Sequence, residues 1–424
     1  MLKNPLLKNA STYFVANALN GFLPFLMLPV LTRFLTVEEF GEVAIFQTLY
    51  MALGAFVGST IVESASRKFF DTNGPNEVAY FIGSCLQICI IFTLFTTAAI
   101  YFFNLQISNI LFIPYSYVLS AVLVSFAMVI IQVRLGQYQV RNESKSYAIL
   151  QISQSALISI LTILLIVFYN FDAFGRVVSQ VAVCSCLAII SLVLLKKDNL
   201  IKFFHHTQKF IFESLSFGIP LIPHVIGVFL LNMIDRFFIA NELGVSQAGI
   251  YMLAAQLATL ISIIHESLNR AFMPWLFQKL KNNQWKEKVM IVRYTYLWLL
   301  FILLTTPLFF FIGPDLILLI AGSNYQDAGK VFGFLALGHS FGGMYAMLNC
   351  YIYFSKKTLN LSLITIFSGA INLILMLIWI PKYGINGAGY SFAASMFIRF
   401  FITWFIANKC HPMPWLFWKE SVTR

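Results

Sequence analysis

The stretch "FGIPLIPHVIGVFLLNMIDRFFI", Phe217 to Ile239, is long and apolar enough to cross a membrane, yet holds Pro220, Pro223, His224 and an Asp235-Arg236 pair. Within hydrocarbon an ionisable side chain costs on the order of 3 kcal/mol, so it normally faces a bundle interior or a watery cavity. His224 and Asp235 are eleven residues apart, about three helical turns and roughly 16 Å, and would share one face of a continuous helix. They then either line a cavity or serve blander ends: His224 as a packing residue, Asp235 and Arg236 in the far headgroup region. Each proline removes a backbone donor, which kinks a helix or lets it bend. A second internal charge, Arg399 in "SFAASMFIRFFITWFIANK", has no acidic residue on its own span. It either faces an anionic ligand or pairs with a carboxylate elsewhere. Two Glu-Ser-x-x-Arg segments complete the set. Glu63 with Arg67 and Glu266 with Arg270 are spaced to bridge along one helix face. They suit a gating or structural role better than direct substrate contact.

Composition sets the frame for these residues. With 59% hydrophobic and 11% charged residues and a mean hydropathy of +0.80, the 424 residues cannot form one water-soluble core. At roughly 20 residues per spanning helix plus connections, the chain holds about 12 spans. Apolar windows place their starts near Ser11, Gly41, Ala79, Leu111, Tyr147, Ala173, Ser214, Ala248, Met290, Val331, Leu359 and Asn386. The first window lacks a small-residue cleavage site, so it is expected to be a span and not a signal peptide. The six cysteines lie mostly in apolar stretches and suit packing, with neither disulfide nor zinc spacing. No metal or cofactor is expected.

Alternate connections differ sharply in charge. With a cytoplasmic amino terminus, 22 of the 28 basic residues fall on the cytoplasmic side, and Arg33, Arg176, Arg236, Lys330 and Lys382 on the other. That bias satisfies the positive-inside rule, with both termini cytoplasmic. The net charge of +11 is thereby explained by topology and attraction to anionic lipid, without a nucleic acid.

The chain also repeats itself. At a shift of 203 residues "RFLTVEEFG" (Arg33 to Gly41) falls on "RFFIANELG" (Arg236 to Gly244), and "ESASRKF" on "ESLNRAF". From Arg33 to Phe69, 12 of 37 positions are identical without a gap. Greasiness alone does not match Arg, Glu and Arg. Two six-helix bundles are expected, residues 1–200 and 214–410, joined by a cytoplasmic linker at 201–213 and followed by a cytoplasmic tail at 411–424. Because six is even, they would be parallel repeats facing a central cavity.

The segment from Phe217 to Tyr251, with "NASTYFVANALNGFLPFLMLPVLTRFLTVEEFGEVAIFQ" near the start, resembles Wzx-type O-antigen flippases. These belong to the multidrug, oligosaccharidyl-lipid and polysaccharide exporter superfamily. The resemblance implies an all-α, MATE-like polytopic membrane protein of the bacterial inner membrane. It would move undecaprenyl-pyrophosphate-linked oligosaccharide to the periplasmic leaflet by alternating access, alongside a polysaccharide polymerase and chain-length regulator. Lipid II flippases generally carry two further spans, which disfavours them as the nearest kin. A pyrophosphate would need cations. Arg399 is the first candidate, with Arg33, Arg236, His224 and His339 as weaker ones. Asn232 and Asn349, with Asn17, Asn20, Tyr345 and Tyr351, could grip sugar. Pro220, Pro223, Glu63, Arg67, Glu266 and Arg270 form the gating and hinge set. His265 beside Glu266 could titrate near neutral pH, which would suit H+ coupling, while Na+ stays equally open. A MATE-like exporter of cations is the nearest rival, but it calls for an acidic cavity. An embedded polymerase or ligase would need a long external loop, and no catalytic set or nucleotide-binding loop is visible. The chain is not expected to be an enzyme.

Overall fold

A computed structural model describes residues 5–71, 74–203, 207–282, 284–357 and 359–416. Among the described residues every regular element is helical. The elements are α1 (Pro5–Phe34), α2 (Val37–Asp71), α3 (Pro75–Phe102), a short α4 (Asn104–Leu111), α5 (Tyr115–Val140), α6 (Ser144–Ile163) and α7 (Asp172–Lys197). They continue as α8 (Thr207–Gly218), α9 (Ile222–Asn232), α10 (Ile234–Leu243), α11 (Val245–Asn282), α12 (Trp285–Ala321), α13 (Gln326–Phe354), α14 (Leu359–Tyr383) and α15 (Ile385–Cys410).

Ten of these helices are long and apolar enough to cross a membrane, and the bent pair formed by α8 and α9 would add an eleventh. α2, uncharged from residue 43 to 62, is 35 residues long and has the length for a twelfth. A lipid-facing surface follows from the exposed side chains: Phe311 on α12 is 78% exposed and Leu319 is 77% exposed. Interior Ser and Thr hydroxyls return their hydrogen bonds to carbonyls one turn back, as Thr32, Thr48, Thr295, Thr365, Ser368 and Thr403 do. That satisfies these hydroxyls without water. α2 opens with a reciprocal cap, in which Thr36 N–H donates to Glu39 Oε2 at 2.7 Å and Glu39 N–H to Thr36 Oγ1 at 3.2 Å.

The chain forms two compact units, the first Met1–Val225 with Gly244–Gly249, the second Ile226–Leu243 with Ile250–Arg424. In the first, α2 packs on α5 and α3, α1 on α6, and α8 on α2 and α3. In the second, α13 packs on α12 and α15, and α14 on α15. The division falls inside the seventh span. That span is not one helix. A 3-10 turn at Ile219–Leu221 separates α8 from α9, with a 49° bend, and Met233 separates α9 from α10. The first break has a local cause. Pro223 has no N–H for the Ile219 carbonyl, which instead accepts from Ile222 N–H in the tighter 3-10 pattern. At the second, Arg236 Nη1 donates to the carbonyl of Asn232, the last residue of α9. The expected face shared by His224 and Asp235 therefore does not form, because a continuous helix does not connect them. In α9, Gly227 lies against α14 so closely that a Cβ would sit 2.7 Å from the Ile366 backbone.

Candidate functional site

Four helices of the second unit enclose a polar cavity of about 400 Å³. α11 supplies Ser262, His265, Glu266, Asn269, Arg270 and Met273, whose three- and four-residue spacing puts them on one helix face. α13 supplies His339, Gly342, Gly343, Tyr345, Ala346, Asn349 and Tyr353 by the same periodicity. α9 adds Asn232, and α15 adds Met396 and Arg399.

Arg399 dominates its electrostatics. The residue is only 9% exposed, and its guanidinium carbon lies 3.8 Å from the Tyr345 ring centroid. Nη2 donates to Thr365 Oγ1 at 3.1 Å, and Nη1 points at Met396 Sδ at 3.9 Å. Nε is buried without a partner, and no carboxylate pairs with this guanidinium among the described residues. The cation is thus held by a ring face, a hydroxyl and a thioether, none of which neutralises it. Such a group is costly to bury unless it meets an anion.

Around it the wall carries hydrogen-bonding capacity. Asn349 Oδ1 and His265 Nδ1 are buried without partners. Asn232 Nδ2 donates to Val228 O at 3.0 Å, and Asn269 Oδ1 receives the Cys350 thiol at 3.5 Å. Gly343 makes room for His265, since a Cβ there would lie 2.3 Å from Nδ1. At the rim Glu266 and Arg270 meet at 3.5 Å, both largely exposed, as their spacing allows. The lining holds two guanidiniums and one carboxylate, with three amides and two phenols to meet hydroxyl groups.

The cavity therefore unites Arg399, His339, Asn232, Asn349, Glu266 and Arg270. Other expected residues lie elsewhere. Arg33 is exposed at the end of α1, and His224 is half-buried on α9 within the first unit. Arg236 is committed to Asp235, with Nη1 to Oδ1 at 2.6 Å. Asp235 also accepts from Tyr251 at 2.5 Å and from the Arg236 backbone N–H at 2.9 Å, which makes it part of a satisfied, buried ion pair outside the lining of the polar cavity. Asn17 accepts from Tyr147 and Gln151, and Asn20 from Ser155, so both tie α1 to α6. Tyr351 is fully buried beside Thr295. Arg67 bridges forward to Asp71 at 3.0 Å instead of back to Glu63, because its guanidinium lies over the Phe217 ring, 5.1 Å away, where Asp71 reaches it. Pro220 and Pro223 are exposed at the break between α8 and α9. The spacing of Ser262, Asn269 and Met273 was readable in the sequence, but only the α13 face shows that they enclose a space.

The Asp235 pair yields a stability prediction. Asp235→Leu leaves the Arg236 guanidinium without its counter-ion and the Tyr251 phenol without its acceptor, which for a buried pair costs about 3–5 kcal/mol. Thermal unfolding in detergent, followed by fluorescence-detected size exclusion, should show a large loss, with Asp235→Asn milder because it still accepts from Tyr251. Parental stability in the leucine variant would refute the assignment.

Residues 6–280 match the sequence pattern of a family described as "Polysaccharide biosynthesis protein". The chain belongs to that family. The match includes the α11 wall of the cavity and ends before its α13 and α15 walls. Among relatives, "Lsg locus putative protein 1" of Haemophilus influenzae is 27% identical over 368 residues, covering 85% of this chain and 88% of the relative. The "Capsular polysaccharide biosynthesis protein CapF" of Staphylococcus aureus is 25% identical over 409 residues, covering 93% and 97%. In fold, the chain is similar to an inward-facing multidrug resistance MATE family transporter of the MOP superfamily, with TM-score 0.70, 15% identity, and coverage of 94% of this chain and 97% of that one. It is also similar to the lipid II flippase MurJ in an inward closed conformation, with TM-score 0.71, 14% identity, and coverage of 95% and 87%. The fold is MATE-like and all-α, with multiple helices of membrane-spanning length.

Proposed function

We propose that this member of the polysaccharide biosynthesis family is a flippase and not an enzyme. It moves undecaprenyl-pyrophosphate-linked oligosaccharide repeat units from the cytoplasmic to the periplasmic leaflet of a bacterial inner membrane, by alternating access, for O-antigen or another surface polysaccharide. The observation that carries this reading is Arg399, a buried and uncompensated guanidinium in a cavity whose other polar groups are amides, hydroxyls, imidazoles and the mutually paired Glu266 and Arg270. A pyrophosphate-linked sugar offers the matching groups, a negative head that cannot cross about 30 Å of hydrocarbon unaided and hydroxyls that need donors and acceptors. The name of one relative, a capsular polysaccharide biosynthesis protein, and the fold shared with a lipid II flippase support the same class of cargo. The charge bias among connections supports cytoplasmic termini. A polymerase and chain-length regulator would take the product on the far side, and H+ or Na+ would supply the drive. A cation exporter would require the opposite polarity, and the single carboxylate of this cavity is already held by Arg270.

Deletion of the gene should accumulate isoprenoid-linked repeat units at the inner leaflet while surface polysaccharide disappears, measured by lipid extraction and mass spectrometry. Unchanged surface polysaccharide without accumulated lipid would refute the flippase reading.

A further inference from the structure

Beside the polar cavity lies a second space, of about 470 Å³ and opposite chemistry. Its walls are Leu268, Phe272 and Trp275 of α11, Tyr294 and Trp298 of α12, and Met347 of α13. The rings pack on one another: Phe272 and Trp275 have centroids 5.1 Å apart, and Trp275 and Tyr294 5.8 Å apart. Phe272, Trp275 and Trp298 back onto the buried core of the second unit, while Leu268 and Tyr294 remain about half exposed. The outcome is a rigid aromatic floor with an open side.

Two points join this groove to the polar cavity. Asn269 lines both spaces, its side chain fixed by the Cys350 thiol. His265, in the polar wall, meets the edge of Trp298 in the apolar wall at 5.9 Å. We propose that the groove holds the isoprenoid tail of the carried lipid next to its phosphates, while the polar cavity holds the head; this rests on the flippase reading above. A lipid-linked sugar changes from apolar to anionic at a single bond, so a site for both parts must change character over the same short distance. Here one residue, Asn269, separates aromatic floor from guanidinium-bearing cavity. A bulk phospholipid chain would need the apolar surface alone and has no reason to require that junction. Placement fits as well. Trp275 and Tyr294 lie about two helical turns from the connection between α11 and α12. That connection is flanked by Lys279, Lys281, Lys286 and Lys288, which the positive-inside rule assigns to the cytoplasmic side, where the lipid begins its journey. Aromatic side chains there offer broad apolar area at low conformational cost, suited to a branched, unsaturated chain.

The test uses the full-length protein in membranes of cells making the polysaccharide, with photoreactive benzoylphenylalanine in place of Phe272, of Tyr353 in the polar cavity, or of Leu319 on the lipid-facing side of α12. After irradiation, adducts are identified by mass spectrometry. The expected result is isoprenoid-bearing adducts at Phe272 and Tyr353 and phospholipid alone at Leu319. Leu268→Trp, which fills the groove from an exposed position, should lower the Phe272 adduct at unchanged protein level. Isoprenoid at Tyr353 with phospholipid alone at Phe272 overturns the tail site and leaves the flippase reading intact. Isoprenoid at neither position overturns both. Equal isoprenoid capture at Leu319 also overturns the site, since the chain would then be distributed over the whole lipid-facing surface.

Discussion

Arg399→Ala abolishes surface polysaccharide while the protein still reaches the membrane at its normal level: that is the expected result of removing the cation from the cavity. The side chain leaves behind a Thr365 hydroxyl that keeps its bond to the Leu361 carbonyl, and a Tyr345 ring. It strands no carboxylate among the described residues, so folding should tolerate its loss. The ligand, by contrast, loses charge-assisted hydrogen bonds, each worth about 1.5–3 kcal/mol. Two such bonds would lower occupancy by about two to four orders of magnitude. Arg399→Lys should retain part of the activity. The ammonium preserves charge, but it cannot lie flat on Tyr345 while presenting a fork to phosphate oxygens. Surface polysaccharide by gel and protein by immunoblot measure both quantities. Full export by the alanine variant would sink the assignment, and loss of the protein itself would show that Arg399 holds the bundle together.

How much of this was readable beforehand depends on whether a residue's partner is near in sequence. Span positions follow from hydrophobicity, because backbone groups in hydrocarbon leave helices as almost the only choice. Arg399 was legible for the same reason: a charge with no acidic neighbour on its own span must find its answer elsewhere. The i, i+4 spacing of Glu266 and Arg270 gave their pair directly. Where the partner lies on another helix, spacing is silent. Nothing in "ANALN" shows that Asn17 and Asn20 face Tyr147, Gln151 and Ser155, or that Tyr351 turns into the core. Asp235 looked like a cavity anion until Tyr251, sixteen residues on and past a chain reversal, claimed it. The groove by Trp275 and Trp298 was hidden for a related reason. In a chain with 44 Phe, 18 Tyr and 7 Trp, no aromatic stands out until neighbouring helices leave space beside it.

The seventh span carries the other large expected effect. Prolines alone do not break a helix here, since α1 runs from Pro5 to Phe34 through Pro24 and Pro29. Pro220 and Pro223 are different in being three residues apart and preceded by Gly218, so consecutive turns lose their donors where glycine already weakens the helix. Their counterparts at the 203-residue shift are Asn17 and Asn20, inside the unbroken α1. The two halves should then bend unequally, with the α8–α9 break as the hinge. A Pro220→Ala, Pro223→Ala double variant restores both donors, and alanine is favoured over proline in a helix interior by about 3 kcal/mol per residue. It should insert and fold, adopt a straighter span, and export slowly. If only 1–2 kcal/mol of that preference opposes bending, transport falls roughly tenfold or more. Spin labels at the exposed residues Lys209 and Asn241 would report the bend as an end-to-end distance. The parent should show two populated distances that shift with substrate, and the double variant mainly the longer one. Identical distance distributions together with undiminished export would place the hinge elsewhere and leave these prolines as static kinks.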